Sequence, residues 1–169
     1  SGACESSARK NGLADLINLP VYGAGCFTVA VAEWQAAILE ALLAPTKTPF
    51  RTRNGLAALR SRRWLDSSFA DISDEIVCGV RAAGIPFNSP FQAVEAYLTQ
   101  LERLGFVHSD PTEIWRPSHT LQARIDKARE LRARPVKRTR ELRQLVEELI
   151  ATLPADETAA FVFEQWWSS

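Results

Sequence analysis

Between residues 47 and 63 the chain reads KTPFRTRNGLAALRSRR, in which Lys47, Arg51, Arg53, Arg60, Arg62 and Arg63 carry positive charge and no carboxylate intervenes. The chemistry open to such a run is recognition of anions. A guanidinium presents a planar fork of donors that matches phosphate oxygens or the O6/N7 edge of guanine, an ammonium acts as a point charge, and an amide such as Asn54 can pair with adenine. A second basic stretch holds Arg116, Arg124, Lys127, Arg129, Arg132, Arg134, Lys137, Arg138, Arg140 and Arg143 against Asp126, Glu130 and Glu141, whereas every charged residue from Glu147 onward is acidic. The formal net charge is +0, so the charge is segregated rather than in excess. Segregation points to an anionic partner, and neutrality argues against indiscriminate nucleic-acid affinity. The candidate nucleic-acid contacts are therefore Lys47, Arg51, Arg53, Asn54, Arg60, Arg62 and Arg63, with Lys127, Lys137 and Arg138 from the second stretch. The competing reading is a set of solvated helix faces whose arginines pair with Glu33, Glu40 and Asp66.

Residues for bond-breaking chemistry are sparse. His108 and His119 have no cysteine or carboxylate at metal-ligand spacing. Adjacent acids such as Asp74 with Glu75, or Glu147 with Glu148, are splayed apart by helical geometry. No glycine-rich loop opens a βαβ unit. The expectation is no active site within this chain, no cofactor and no metal, with Cys4 and Cys26 serving a metal site only if its other half lies elsewhere. Cys78, with no basic neighbour in sequence, is expected as a small buried apolar residue. Cys4, Cys26 and Cys78 lack a pairwise spacing, which predicts a reducing, cytoplasmic setting. No apolar run reaches about eighteen residues, so no membrane span is expected. The chain has no methionine and opens Ser1-Gly2, which reads as the remnant of a removed tag on a domain of a longer protein.

The elements that must carry these residues follow from local chemistry. Residues 1–31 form an N-terminal extension in which CFTVAVA, 26–32, is β-rich and reads as a strand. In residues 32–70, Trp34, Ala37, Ile38, Ala41 and Leu42 recur at helical spacing; PTKTP ends that helix, and Leu56, Leu59 and Trp64 mark a second one containing Gly55. Residues 71–117 open with Asp71 and Asp74 as a capping arrangement for a helix burying Ile72, Ile76, Val77 and Val80 and stopped at Gly84. Ser89, Pro90 and Gln92 then form a capping box with proline at the first helical position. Val94, Tyr97, Leu98, Leu101 and Leu104 give the apolar stripe, and Gly105 the stop. FVH and EIWRP flank the turn sequence SDPT and pair as a hairpin over about 106–116. The expected core includes Trp34, Ile38, Leu42, Leu59, Ile76, Val80, Val94, Leu98 and Leu101. In residues 118–169 the helix through Leu121, Ile125, Ala128 and Leu131 should break or kink at Pro135. A further helix carries Leu142, Leu145, Val146, Leu149, Ile150 and Leu153, and a last one ends in Phe161, Phe163, Trp166 and Trp167.

The fold class expected is mainly α with a small β-hairpin. PFRTRNGLAALRSRRWLDSS echoes PFQAVEAYLTQLERLGFVHSD, which suggests tandem winged-helix-like units followed by C-terminal helices. Residues 71–117 resemble a winged helix-turn-helix domain of the bacterial regulator type, and the helices beyond the hairpin resemble the dimerising helices of regulators similar to the PadR and MarR groups. The resemblance implies a transcription regulator, or the recognition domain of a larger DNA-acting protein, bound to duplex DNA and paired as a homodimer through the C-terminal helices. The departure is in the second unit, whose recognition helix carries Glu95 and Glu102 outside its apolar stripe. The arginine-bearing helix is the better reader. Two alternatives stand beside this one: an adaptor that docks a protein partner, and the regulatory domain of an enzyme whose catalytic part is not in this chain.

Overall fold

The computed structural model describes residues 2–69 and 72–152. The expected last helix, Leu153 and Asp71 lie outside the described residues. The described chain forms α1 (Ala3–Lys10), α2 (Val31–Leu43), α3 (Thr52–Ser61), α4 (Asp74–Ala82), α5 (Pro90–Arg103), a hairpin of β1 (Val107–Ser109) and β2 (Trp115–Pro117), and α6 (His119–Thr152). It is mainly helical with one small antiparallel hairpin, in the register Val107–Pro117, His108–Arg116 and Ser109–Trp115. The chain divides into two units, Ser1–Ala128 and Arg129–Ser169. No helix of the described residues is long and apolar enough to cross a membrane.

The first unit is built around α2. Every residue from Ala32 to Leu39 is buried, so this stretch of the helix has no solvent face and must be enclosed on all sides. α1, α3 and β2 supply that enclosure. The ring of Trp34 lies 4.8 Å from Phe27 and meets Tyr97 edge-on at 5.5 Å. The two polar residues buried in α2 are each engaged. Glu33 accepts the first-turn amides of α1, Cys4 N–H at 3.1 Å and Glu5 N–H at 2.8 Å. Gln35 brackets Leu19, accepting its N–H at 2.9 Å and donating to its carbonyl at 2.7 Å. The Tyr97 hydroxyl donates to the Leu16 carbonyl at 2.8 Å, which ties the N-terminal segment to α5.

α5 forms as its local chemistry dictates. Ser89 Oγ accepts the Gln92 N–H while Gln92 Oε1 accepts the Ser89 N–H, Pro90 starts the helix, and Gly105 takes φ +80° beyond its end. Val94, Tyr97, Leu98 and Leu101 are fully buried, whereas Leu104, expected in the stripe, is exposed. Gly55 explains how α3 reaches both of its neighbours. A β-carbon placed there would come within 2.9 Å of Ile38 Cδ1 and 3.2 Å of Val94 Cγ1, so the glycine expected to weaken this helix is a point of close packing against α2 and α5.

α2 and α3 pack against each other, and α3 also reaches beyond this pair. α3 lies against α5, α5 against β1, and Phe50, just ahead of α3, forms an antiparallel bridge with Trp115 of β2. One body of α2, α3, α5 and the hairpin results. α4 stands outside its core: Val77 is buried, but Ile76 is 53% exposed, Val80 is half-buried and Cys78 is exposed, against the expectation for all three. α3 packs on α5, where Gly55 lies close to Val94. The cap of α4 is Ser73, whose Oγ accepts the Ile76 N–H at 3.4 Å.

Three further expectations are corrected. Residues 26–32 form no strand: a 3-10 turn ends at Cys26, a single bridge joins Phe27 to Leu65, and α2 begins at Val31. Thr28 N–H donates to the Trp64 carbonyl and Asp66 N–H to the Cys26 carbonyl, so the segment's backbone is satisfied by the chain leaving α3 and needs no sheet. α6 runs unbroken through Pro135. Residues 131–138 are all exposed, so water can satisfy the carbonyl that loses its donor there. The separate helix expected from about residue 140 is part of α6, and Leu142, Leu145 and Leu149 on it are exposed.

Candidate nucleic-acid interface

The seven candidate residues from 47 to 63 fall into two groups according to what α3 needs from them. Arg51 and Asn54 build the start of the helix. The Arg51 N–H donates to Asn54 Oδ1 at 2.8 Å, which satisfies one of the amides left open at a helix N-terminus. The Arg51 guanidinium reaches across to the hairpin turn and donates to the Thr112 carbonyl at 2.6 Å. Arg62 is also engaged: it donates to Glu40 at 3.3 Å and lies over the Trp64 ring, 5.4 Å from its centroid. Of the ion pairs expected with Glu33, Glu40 and Asp66, this is the one formed, since Glu33 is occupied by α1 and Asp66 accepts the Ser68 N–H, which holds its carboxyl below the usual range.

Lys47, Arg53, Arg60 and Arg63 are exposed, and among the described residues their side chains make no hydrogen bond or ion pair. Arg53 and Arg60 are seven residues apart, two helical turns, on one face of α3 and about 10 Å apart along its axis. Between them on that face lies Ala57, which is exposed and offers only a methyl. Arg63 sits just past the helix end in the left-handed region, φ +59°, where Trp64 N–H donates to Leu59 O and Arg63 N–H to Arg60 O. A glycine usually takes this place; an arginine holds it at a steric cost.

The hairpin is fastened to this helix. Trp115 N–H donates to the Phe50 carbonyl at 2.8 Å, and Trp115 Nε1 donates to Thr52 Oγ1 at 3.1 Å inside the core. With the Arg51–Thr112 bond, three hydrogen bonds link the start of α3 to the hairpin. Nothing in the local sequence signals this, because Thr52 and Trp115 are 63 residues apart.

Lys127, Lys137 and Arg138 are exposed on α6, Lys127 in the first unit and the other two in the second. Lys137 has a weak pair with Glu141 at 3.9 Å. Arg124, also of the second basic stretch, is spent on a two-bond contact with Asp15 at 2.9 Å.

The groove between α5 and the hairpin, about 570 Å³, has a different character. Glu95, Glu102, Asp110 and Glu113 line it together with Arg81 and Arg103. Glu102 accepts both the N–H and the hydroxyl of Ser109, fixing β1 to α5. The Asp110 carboxyl is held below the usual range by the Thr112 hydroxyl and the Ile114 amide, so it is ionised at neutral pH. Glu95 and Glu102 were visible as a departure in sequence; that the hairpin turn adds two more carboxylates required the fold. The histidines are exposed, and neither lines this groove. No family model, curated protein or solved structure matches this chain.

Proposed function

We propose that the first unit is a winged-helix module that binds duplex DNA through the outward face of α3, as a transcription regulator or as the recognition domain of a larger DNA-acting protein, in the reducing setting that three unpaired thiols suit. The order of α2, a bridging residue at Phe50, α3, α5 and a hairpin supports the winged-helix reading. The observation that carries it is the ridge of Arg53 and Arg60 with Ala57 between them, continued by Arg63. Three guanidiniums without internal partners, over a surface low enough for close approach, suit a line of backbone phosphates. The contacts are to phosphate more than to base edges, since Glu95 on α5 would face the phosphates flanking a groove that α5 entered. Two copies paired along the exposed Leu142, Leu145 and Leu149 of α6 would present two such ridges; a monomer in sedimentation at tens of micromolar argues against that pairing.

The test is fluorescence anisotropy of a labelled duplex over a range of salt. Changing Arg53, Arg60 and Arg63 to glutamine should reduce the magnitude of the log–log salt slope by about 2.7, three contacts of about 0.9 each. Absence of binding by the unaltered protein at low salt overturns the reading. The acidic groove between α5 and the hairpin favours a second one, an adaptor that receives a basic segment of a protein partner.

A further inference from the structure

We infer that the first unit holds a binding site for a phosphate-bearing anion in the cleft between the loop after α2 and strand β2. The cleft is about 430 Å³, a size that accommodates a small ligand. Lys47 and Arg116 are its only charged lining residues, and of the acids of the α5 groove Asp110 stands beside Arg116 without lining the cleft. The two cations come from segments 69 residues apart in sequence, brought together because Phe50 pairs with Trp115. Both keep donors for a ligand. Lys47 has no partner among the described residues, and Arg116 lies 3.8 Å from Asp110, well beyond the roughly 2.7–2.9 Å of a charge-assisted hydrogen bond.

The remaining chemistry narrows the ligand class. Thr48 adds a hydroxyl, and Ile114 and Pro117 add apolar wall on which the organic part of a phosphate ester can rest. The last residues of α2 also border the cleft, and the carbonyl end of a helix carries partial negative charge. A monovalent anion at one cation gains little against that field. A phosphate that spans the ammonium and the planar guanidinium gains from both. Two sources supply this chemistry, a free phosphorylated small molecule and a backbone phosphate of a nucleic acid. Phe50 in the cleft wall is followed directly by Arg51, the cap of α3. The site does not depend on α3 binding DNA.

Inorganic phosphate is the probe. Amide chemical shifts are followed while phosphate is titrated at pH 7 against chloride of matched ionic strength. Saturable shifts at Thr46, Lys47, Thr48 and residues 114–116, present with phosphate and absent with chloride, are expected. The Lys47→Gln/Arg116→Gln protein should lose saturation or bind at least about tenfold more weakly, while Arg60→Gln retains it. Both residues are exposed, so an unchanged melting temperature in the double variant separates lost binding from lost folding. Shifts that track chloride, or saturation that survives the double variant, overturn the site. A labelled duplex then identifies the source: weaker duplex binding by the double variant, with phosphate competing, assigns a backbone phosphate, and unaffected duplex binding assigns a free small molecule. Failure of the arginine-ridge test with phosphate binding intact would remove the DNA reading and leave this site standing.

Discussion

Replacing Thr52 by valine keeps the shape of the side chain and exchanges one group, the hydroxyl that accepts the Trp115 Nε1–H at 3.1 Å, for a methyl. Thr52 and Trp115 are both buried, so water cannot take the hydroxyl's place without opening the joint between α3 and the hairpin. A buried donor left without its acceptor costs about 1–3 kcal/mol, and the added apolar surface of valine returns under about 1 kcal/mol. The net expectation is a loss of about 1–2 kcal/mol. With a urea slope of about 1–3 kcal/mol/M, the unfolding midpoint should fall by roughly 1 M at an unchanged slope. Trp115→Phe alone should cost more, since it also removes buried ring area. Combining the two changes should recover about 0.5–1.5 kcal/mol relative to their sum, because the second change deletes the group that the first left unpaired. A Thr52→Val protein with the original midpoint, or strict additivity in the pair, would refute the claim that this hydrogen bond fastens the hairpin to α3.

Leu98→Ala, at a fully buried position of α5, should lower stability by about 2–5 kcal/mol in the same urea assay, and a change below 1 kcal/mol would mean the site collapses around the deletion. Arg63→Gly relieves a left-handed arginine and should raise stability by up to about 1 kcal/mol, after the larger backbone entropy of glycine in the unfolded chain is counted; the same change should reduce the duplex salt slope by about 0.9. Cys78 should react with a thiol reagent in the folded protein at pH 8 while Cys4 and Cys26 wait for unfolding, which mass spectrometry of the labelled sites reads directly. Burial pushes both Cys4 and Cys26 up to about 11 from 9.0, with hydrogen bonding to Glu40 adding to the first and the Asp66 charge to the second. Because the folded state holds these protons more tightly, their contribution is complete below pH 9 and is lost as pH rises from 9 towards 11. Cys4→Ala/Cys26→Ala should flatten that fall in unfolding midpoint; an identical pH profile would contradict it.

The division of labour among the arginines bears on how a charge run is read. Six cations in seventeen residues look alike in sequence, yet Arg51 and Arg62 are bound to protein groups while Lys47, Arg53, Arg60 and Arg63 are not. The difference lies in what stands opposite each. Arg51 at the first residue before α3 meets the hairpin turn, and Arg62 at its end meets Glu40 of α2, whereas the middle of the helix turns its outer face away from both.

Short-range chemistry was readable without coordinates. Ser89, Pro90, Gln92 and Gly105 bound α5 through interactions spanning three residues or fewer, and SDPT closes a hairpin whose strands are adjacent in sequence, so local preference and final structure coincide. α2 was legible for a related reason: its apolar residues outnumber any alternative face. The strand reading of 26–32 failed because β-propensity reports a fit to a pleated surface, and the surface offered was the chain beyond α3. Ile76 and Cys78 were misplaced because periodicity gives a helix an apolar face without saying whether a neighbour arrives to cover it. The close approach of Gly55 to Ile38 and Val94 joins three residues from three helices whose separations in sequence carry no pattern. The candidate cations were in view from the start. Their sorting into fastened and free, and the placing of Lys47 and Arg116 in the lining of one cleft, depend on long-range contacts that only the folded chain supplies.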